Sequence, residues 1–272
     1  MDASLAKGLK NSMFRQIEND VEISSNRLGE YSKKLFNLRS KNQWPKFLGG
    51  LYDLMGKLIV AKYHGGTQRK PFICFCLFEG KERKYNSWKE NCINSTYVYF
   101  SINPPNIVAH PIGFSISDHA IQRIYERAFS DTDPINDNFS NFDFSRELIY
   151  VPIWSLFWSS RFVKYHDQEK KANVVIPAPH GLFFGEINDS HFHISEIRTF
   201  LAVKQLNAVE LSLWQDMMKL SDEYHNSVFP FILFLSSRDT CGGNYANEFD
   251  AFMNRVAPLE EKLMQYLYPT SD

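Results

Sequence analysis

The spacing of apolar residues changes twice along this chain, and that change limits the folds open to it more than any other feature. Over residues 2 to 63 they recur at three- and four-residue steps, Leu5, Leu9, Met13, Ile17 and Val21, then Leu28, Tyr31, Leu35 and Leu38, with no proline before Pro45. That period belongs to amphipathic helix. Two or three helices are expected, the last over residues 44 to 62 with Pro45 in its first turn, stopped by His64, Gly65, Gly66 and Thr67. KPFICFCLF, STYVYFSI and IVAHPIGFSI then follow as short β-rich runs and read as strands. ANVVIPAPHGLFFGEI splits between Pro177 and His180 into two more, and with HFHISEIRTFLA residues 173 to 202 read as a three-stranded antiparallel meander. Gly181 and Gly185 mark a close backbone approach or a bulge there. The helical period returns at residues 206 to 224 and 245 to 267, around FPFILFLSS, which reads as a buried strand. Residues 130 to 145 read as a polar loop, and RELIYVPIWSLFWSSRF after it suits helix or strand.

The expected class is therefore α+β, a central antiparallel sheet with an N-terminal helical segment and a C-terminal helix-strand-helix. The divisions expected are residues 1–110, helical and leading into strands, a core over 111–206, and 207–272. A length of 272 residues allows one large domain with additions or two domains. With 44% hydrophobic and 22% charged residues the chain has the balance of a folded globular protein, which excludes disorder over most of it. A net charge of −1 excludes a generally basic surface, so contact with nucleic acid needs a local patch.

Cys74, Cys76, Cys92 and Cys241 lack the paired spacing of a zinc site, and Cys74 and Cys76 read as buried residues on one strand face. RDTCGGNY has neither a Walker lysine nor G-x-G-x-x-G, and no G-x-S-x-G elbow exists, so no cofactor and no acyl transfer are expected. No apolar run approaches membrane-spanning length and the N-terminus lacks the apolar region of a signal peptide. The expectation is a cytoplasmic protein with no membrane partner.

Chemistry concentrates in FSISDHAIQRIYERAF. Ser117 and Asp118 can cap a helix, and His119, Arg123 and Arg127 at four-residue steps share one face of it. Guanidinium matches phosphate in a planar fork, and imidazole titrates nearest neutrality, so the stripe suits a polyanion. Joined to Arg198 and Thr199 of the last meander strand, it holds the groups that metal-independent RNA cleavage needs: a proton acceptor for the 2′-hydroxyl, cations for the phosphorus and a proton donor for the leaving oxygen. His180, at the head of the central meander strand, is a further substrate-contacting candidate or second catalytic imidazole.

FSISDHAIQRIYER, HGLFFGE and IRTF together resemble toxin-type ribonucleases of the barnase, EndoU, colicin E5 and RelE fold group, over residues 112 to 202. The resemblance implies functional roles for His119, Arg123, Arg127 and Thr199, a toxin or antiviral-defence setting, RNA as substrate, and a neutralising or complex-forming protein partner. The amphipathic ends, residues 1 to 63 and 206 to 272, are the surfaces for that partner.

Other readings stay open. The same helix can dock without catalysis, as in an adaptor or nucleic-acid-binding subunit. RFVKYH, from Arg161 to His166, matches the R-x4-H pattern of HEPN-type ribonucleases, which requires residues 148 to 168 to be helical; a strand is the plainer reading. His191 and His193, near Glu186 and Asp189, have the residue types of a metal site, against a solvated turn.

Overall fold

The computed structural model describes residues 2–38, 41–66, 71–82, 91–102, 105–110, 114–128, 144–165, 171–188, 195–234 and 244–269. The N-terminal period forms one helix, α1 (Ala3–Phe36), roughly 50 Å long. Asp2 caps it, its carboxylate accepting from the backbone of Ser4 at 2.8 Å and Leu5 at 3.3 Å. A 3-10 turn (Lys41–Gln43) leads into α2 (Trp44–Met55), which has Pro45 in its first turn as expected.

Here the first correction falls. The helix expected to reach residue 62 stops at Met55, and strand β1 (Ile59–Gly66) takes over, its Ile59 opposite Leu77 and its Ala61 opposite Cys76. The β-branched Ile59 and Val60 fit a ladder better than a last helical turn.

β2 (Pro71–Glu82) and β3 (Cys92–Ile102) form as expected. IVAHPIGFSI, read as one strand, is two: β4 (Pro105–His110) and β5 (Phe114–Ser117). They share the edge of β3, where β4 pairs from Tyr97 to Ile102 and β5 from Cys92 to Asn94. The meander follows later as β6 (Lys171–Ala178), β7 (Gly181–Asn188) and β8 (Ser195–Ala202). The sheet runs β1-β2-β3-β5-β8-β7-β6. It is mixed, since β5 and β8 are parallel; the chain between them is long enough to serve as the crossover that a parallel pair requires.

β2 explains why its sequence is apolar without alternation. Phe72, Cys74, Cys76 and Phe78 enter the larger core, while Ile73, Phe75 and Leu77 enter a second core under α2 and the end of α1. A strand covered on both faces needs apolar residues at every position. Cys74 and Cys76 are both fully buried on one face, as read from the sequence.

The undecided aromatic run is helical. α3 (Asp118–Ala128) follows β5 directly, then come a short α4 (Phe144–Glu147) and α5 (Val151–Tyr165). α5 is buried from Val151 through Trp158. An element surrounded on all sides must satisfy its own backbone, and a helix does so internally. Its indoles find partners outward, Trp154 donating to Ser221 at 2.8 Å and Trp158 to the Val175 carbonyl at 2.8 Å.

α6 (Ala208–Phe234) and α7 (Asn244–Leu267) close the fold, and α6 packs near both edge strands, β1 and β6. The strand expected between them is a second correction, because residues 229 to 234 of FPFILFLSS are the last turns of α6. A short run apolar at every position carries neither period. The fold is α+β, and among the described residues no helix is long and apolar enough to cross a membrane.

Candidate active site

β5 ends and α3 begins without a loop, and Ser117 makes the junction. Its hydroxyl accepts from the Ala120 backbone at 3.1 Å, capping the helix, and donates to the Arg198 carbonyl at 3.0 Å, tying the cap to β8. Asp118, the other capping candidate, pairs instead with Lys10 of α1, a lysine almost wholly buried. Ala120, Ile121, Ile124 and Tyr125 face the core, so His119, Arg123 and Arg127 form the outward stripe that the spacing predicts.

The stripe is wired internally. Arg123 Nε donates to His119 Nε2 at 3.3 Å, and its Nη1 donates to Glu126 at 2.6 Å, where Gln122 also donates at 2.7 Å. Burial pushes the Glu126 carboxyl up, but the bonds from Gln122 and Arg123 and the charges of Arg123 and Arg127 outweigh it and hold it below the ordinary range. Because His119 accepts at Nε2, its neutral ring carries its proton on Nδ1. Arg127 reaches back to donate to the Phe200 carbonyl of β8; burial, then the charge of Arg123, lowers its pKa, with Glu126 opposing.

On β8 a bulge sets what faces where. Thr199 opposes Phe184 and Ile197 opposes Gly185, so Arg198 is the extra residue between them. Its guanidinium pairs with Glu186 of β7. Cross-strand partners share a face, which puts the half-buried Thr199 beside Phe184, and Phe200 beside Phe183 with ring centroids 5.3 Å apart. Ser117 and Arg127 therefore grip β8 at Arg198 and Phe200, on either side of Thr199.

His180 stands apart from the stripe, in the tight turn between β6 and β7. Its backbone N–H donates to Glu147 at 3.3 Å, and its Nδ1 lies 2.6 Å from the other oxygen of the same carboxylate. The His180 side chain is 60% exposed and that of Glu147 0%. A carboxylate only accepts, so Nδ1 carries the proton and Nε2 is turned to the outside. The hydrogen bond to Glu147 raises the His180 pKa, burial opposes it, and the Glu147 charge adds to the rise. The His180 carbonyl accepts from Val203 at 2.9 Å, just past the end of β8, and Trp214 donates to the Ala178 carbonyl of the same turn at 2.9 Å.

Of the other candidates, Arg161 lies on helical α5, as the HEPN reading requires, but it donates to Glu260 at 2.9 Å, and His166 lies outside the described residues. His191, His193, Asp189 and Cys241 also lie outside them, with most of RDTCGGNY. Sequence reasoning missed Glu147, and it named Glu186 only beside His191 and His193, not as the partner of Arg198. Glu147 carried one signal, a carboxylate bordering a run too apolar to be exposed; its partner, 33 residues on, has no sequence signature. Compared with models of known families, with curated proteins and with solved structures, the chain matches none of them.

Proposed function

We propose that the chain is a metal-independent endoribonuclease that cleaves RNA by attack of the ribose 2′-hydroxyl on the neighbouring phosphate, a toxin or defence effector held in check by a protein partner. What supports the reading is the clamp between α3 and β8: Ser117 and Arg127 hold the helix to the strand on both sides of Thr199, so the two segments that carry the expected chemistry are one structural unit. In this reading His119 is the general base or acid, Arg123 and Arg127 hold phosphate oxygens, and Thr199 orients the ribose or phosphate.

Expression of the full chain in bacteria, beside His119→Ala and Arg123→Ala, tests it. The wild type arrests growth and fragments total RNA, and both variants, folded by circular dichroism, lose the effect by at least about tenfold. A wild type that leaves growth and RNA intact, or variants as toxic as the wild type, removes this site from the reaction.

One observation weighs against catalysis by the stripe and so favours a second reading, a non-catalytic adaptor or nucleic-acid-binding subunit of a larger complex. Arg123, Arg127 and Arg198 all bind groups within the molecule, to Glu126, the Phe200 carbonyl and Glu186. Binding of labelled RNA that persists without cleavage would select it.

A further inference from the structure

We infer that the base of this reaction is His180, with Glu147 as its positioning residue, and that the scissile phosphate lies at the His180 end of β8. The inference rests on the ribonuclease reading above and relocates its proton transfer away from His119.

Three observations carry it. First, one fully buried carboxylate holds both the backbone N–H and the ring Nδ1 of His180, at 3.3 and 2.6 Å, while the ring itself is 60% exposed. That arrangement fixes one tautomer and presents the Nε2 lone pair to a ligand, as a general base requires. His119 is built differently: it is exposed, and its Nε2 already accepts from Arg123.

Second, the turn is held rigid from three sides, by Glu147 of α4, by Val203 after β8 and by Trp214 of α6. Fixed geometry is what a catalytic group needs and an idle surface histidine does not.

Third, the site sits on the strand that α3 clamps. Arg127 is anchored at Phe200 and His180 at Val203, three residues further on, about 10 Å along the chain. Ser117, two residues before His119, grips β8 at Arg198, five residues before Val203. Along β8 the anchor points run in the order Arg198 for the α3 cap, Phe200 for Arg127 and Val203 for His180, so Arg127 is the stripe residue anchored nearest to His180.

In the step proposed, the 2′-hydroxyl proton passes to His180 Nε2 and the O2′–P bond forms as the P–O5′ bond breaks. O5′ leaves with the bonding pair and takes a proton from water, and His180 returns its own to solvent. The products are 2′,3′-cyclic phosphate and 5′-hydroxyl ends. The charged residues on the elements that hold His180 are Glu147 and Arg146 on α4, Lys171 on β6, Glu186 on β7, Lys204 in the 3-10 turn after β8, and on α6 Glu210, bonded by Tyr266 at 2.6 Å, with Asp216, Lys219, Asp222 and Glu223 further along it.

The test uses the full chain and a labelled RNA of mixed sequence. His180→Asn keeps an N–H for Glu147 and so preserves the fold, but has no basic nitrogen; it cleaves at least about a hundredfold more slowly. His180→Ala is restored by added imidazole, and Glu147→Gln moves the acid limb of the rate profile to lower pH, because the carboxylate hydrogen bond and charge that raise the His180 pKa are gone. Cleavage by His180→Asn at the wild-type rate, or loss in His180→Ala that imidazole does not restore, overturns the assignment while the ribonuclease reading stands on the His119 and Arg123 variants. A wild type that cleaves no RNA overturns both.

Discussion

At the scale of single residues, His180 and Glu147 make a pH-linked contribution to stability whose sign follows from the direction of the shift. The His180 pKa is raised from 6.5 in the folded protein. Stabilisation is then complete below the unfolded value and is lost as pH rises through the folded one. We expect the melting-temperature gap between wild type and Glu147→Gln to be wider at about pH 5 than at about pH 8.5. Equal gaps would mean that the pair contributes no proton-linked stability. Gly185 shows what residue identity alone discloses: read from the sequence as a bulge or a close approach, it is both. The register shifts beside it, and a Cβ there would lie 2.1 Å from the Glu196 carbonyl oxygen. The bulge also places Glu196 and Thr199 on one face, whereas simple alternation would have separated them.

At the scale of elements, α5 is the one whose type the sequence leaves open, and its environment decides it. Trp154 is fully buried, in edge-to-face contact with Phe252 at 5.9 Å, and its indole N–H reaches Ser221, itself fully buried. Replacing Ser221 by Ala removes that acceptor and leaves a polar hydrogen in the core. The expected loss is about 1–3 kcal/mol, read by denaturant unfolding. A change below about 0.5 kcal/mol would show that the indole finds another acceptor. α3 is the opposite case. Its apolar and charged faces, its cap at Ser117 and its stripe were all legible, because each depends on neighbours within one or two turns.

At the scale of the whole molecule, α1 is shared by two cores. Ala6, Phe14 and Ile17 lie in the larger one, Leu35 in the smaller, and Lys10 pairs with Asp118 at the head of α3. A chain starting after residue 38 therefore uncovers apolar surface on both sheet faces. We expect it to bind a hydrophobic dye and to lose cooperative unfolding. A sharp transition without dye binding would mean that the remainder folds alone. What the sequence determined by itself is whatever a local period or cap encodes: α1, α3 and α7, the strands β2 and β3, the meander, and the α+β class. Tertiary structure decided the rest. Residues 59 to 62 became strand because β2 offered a ladder, and residues 229 to 234 became helix as the end of α6. β5 met β8 in parallel, and Glu147 met His180 across 33 residues. Uniformly apolar runs carry no period, and a contact between distant residues has no local energy to announce it, so only the packed whole selects the element and the pair.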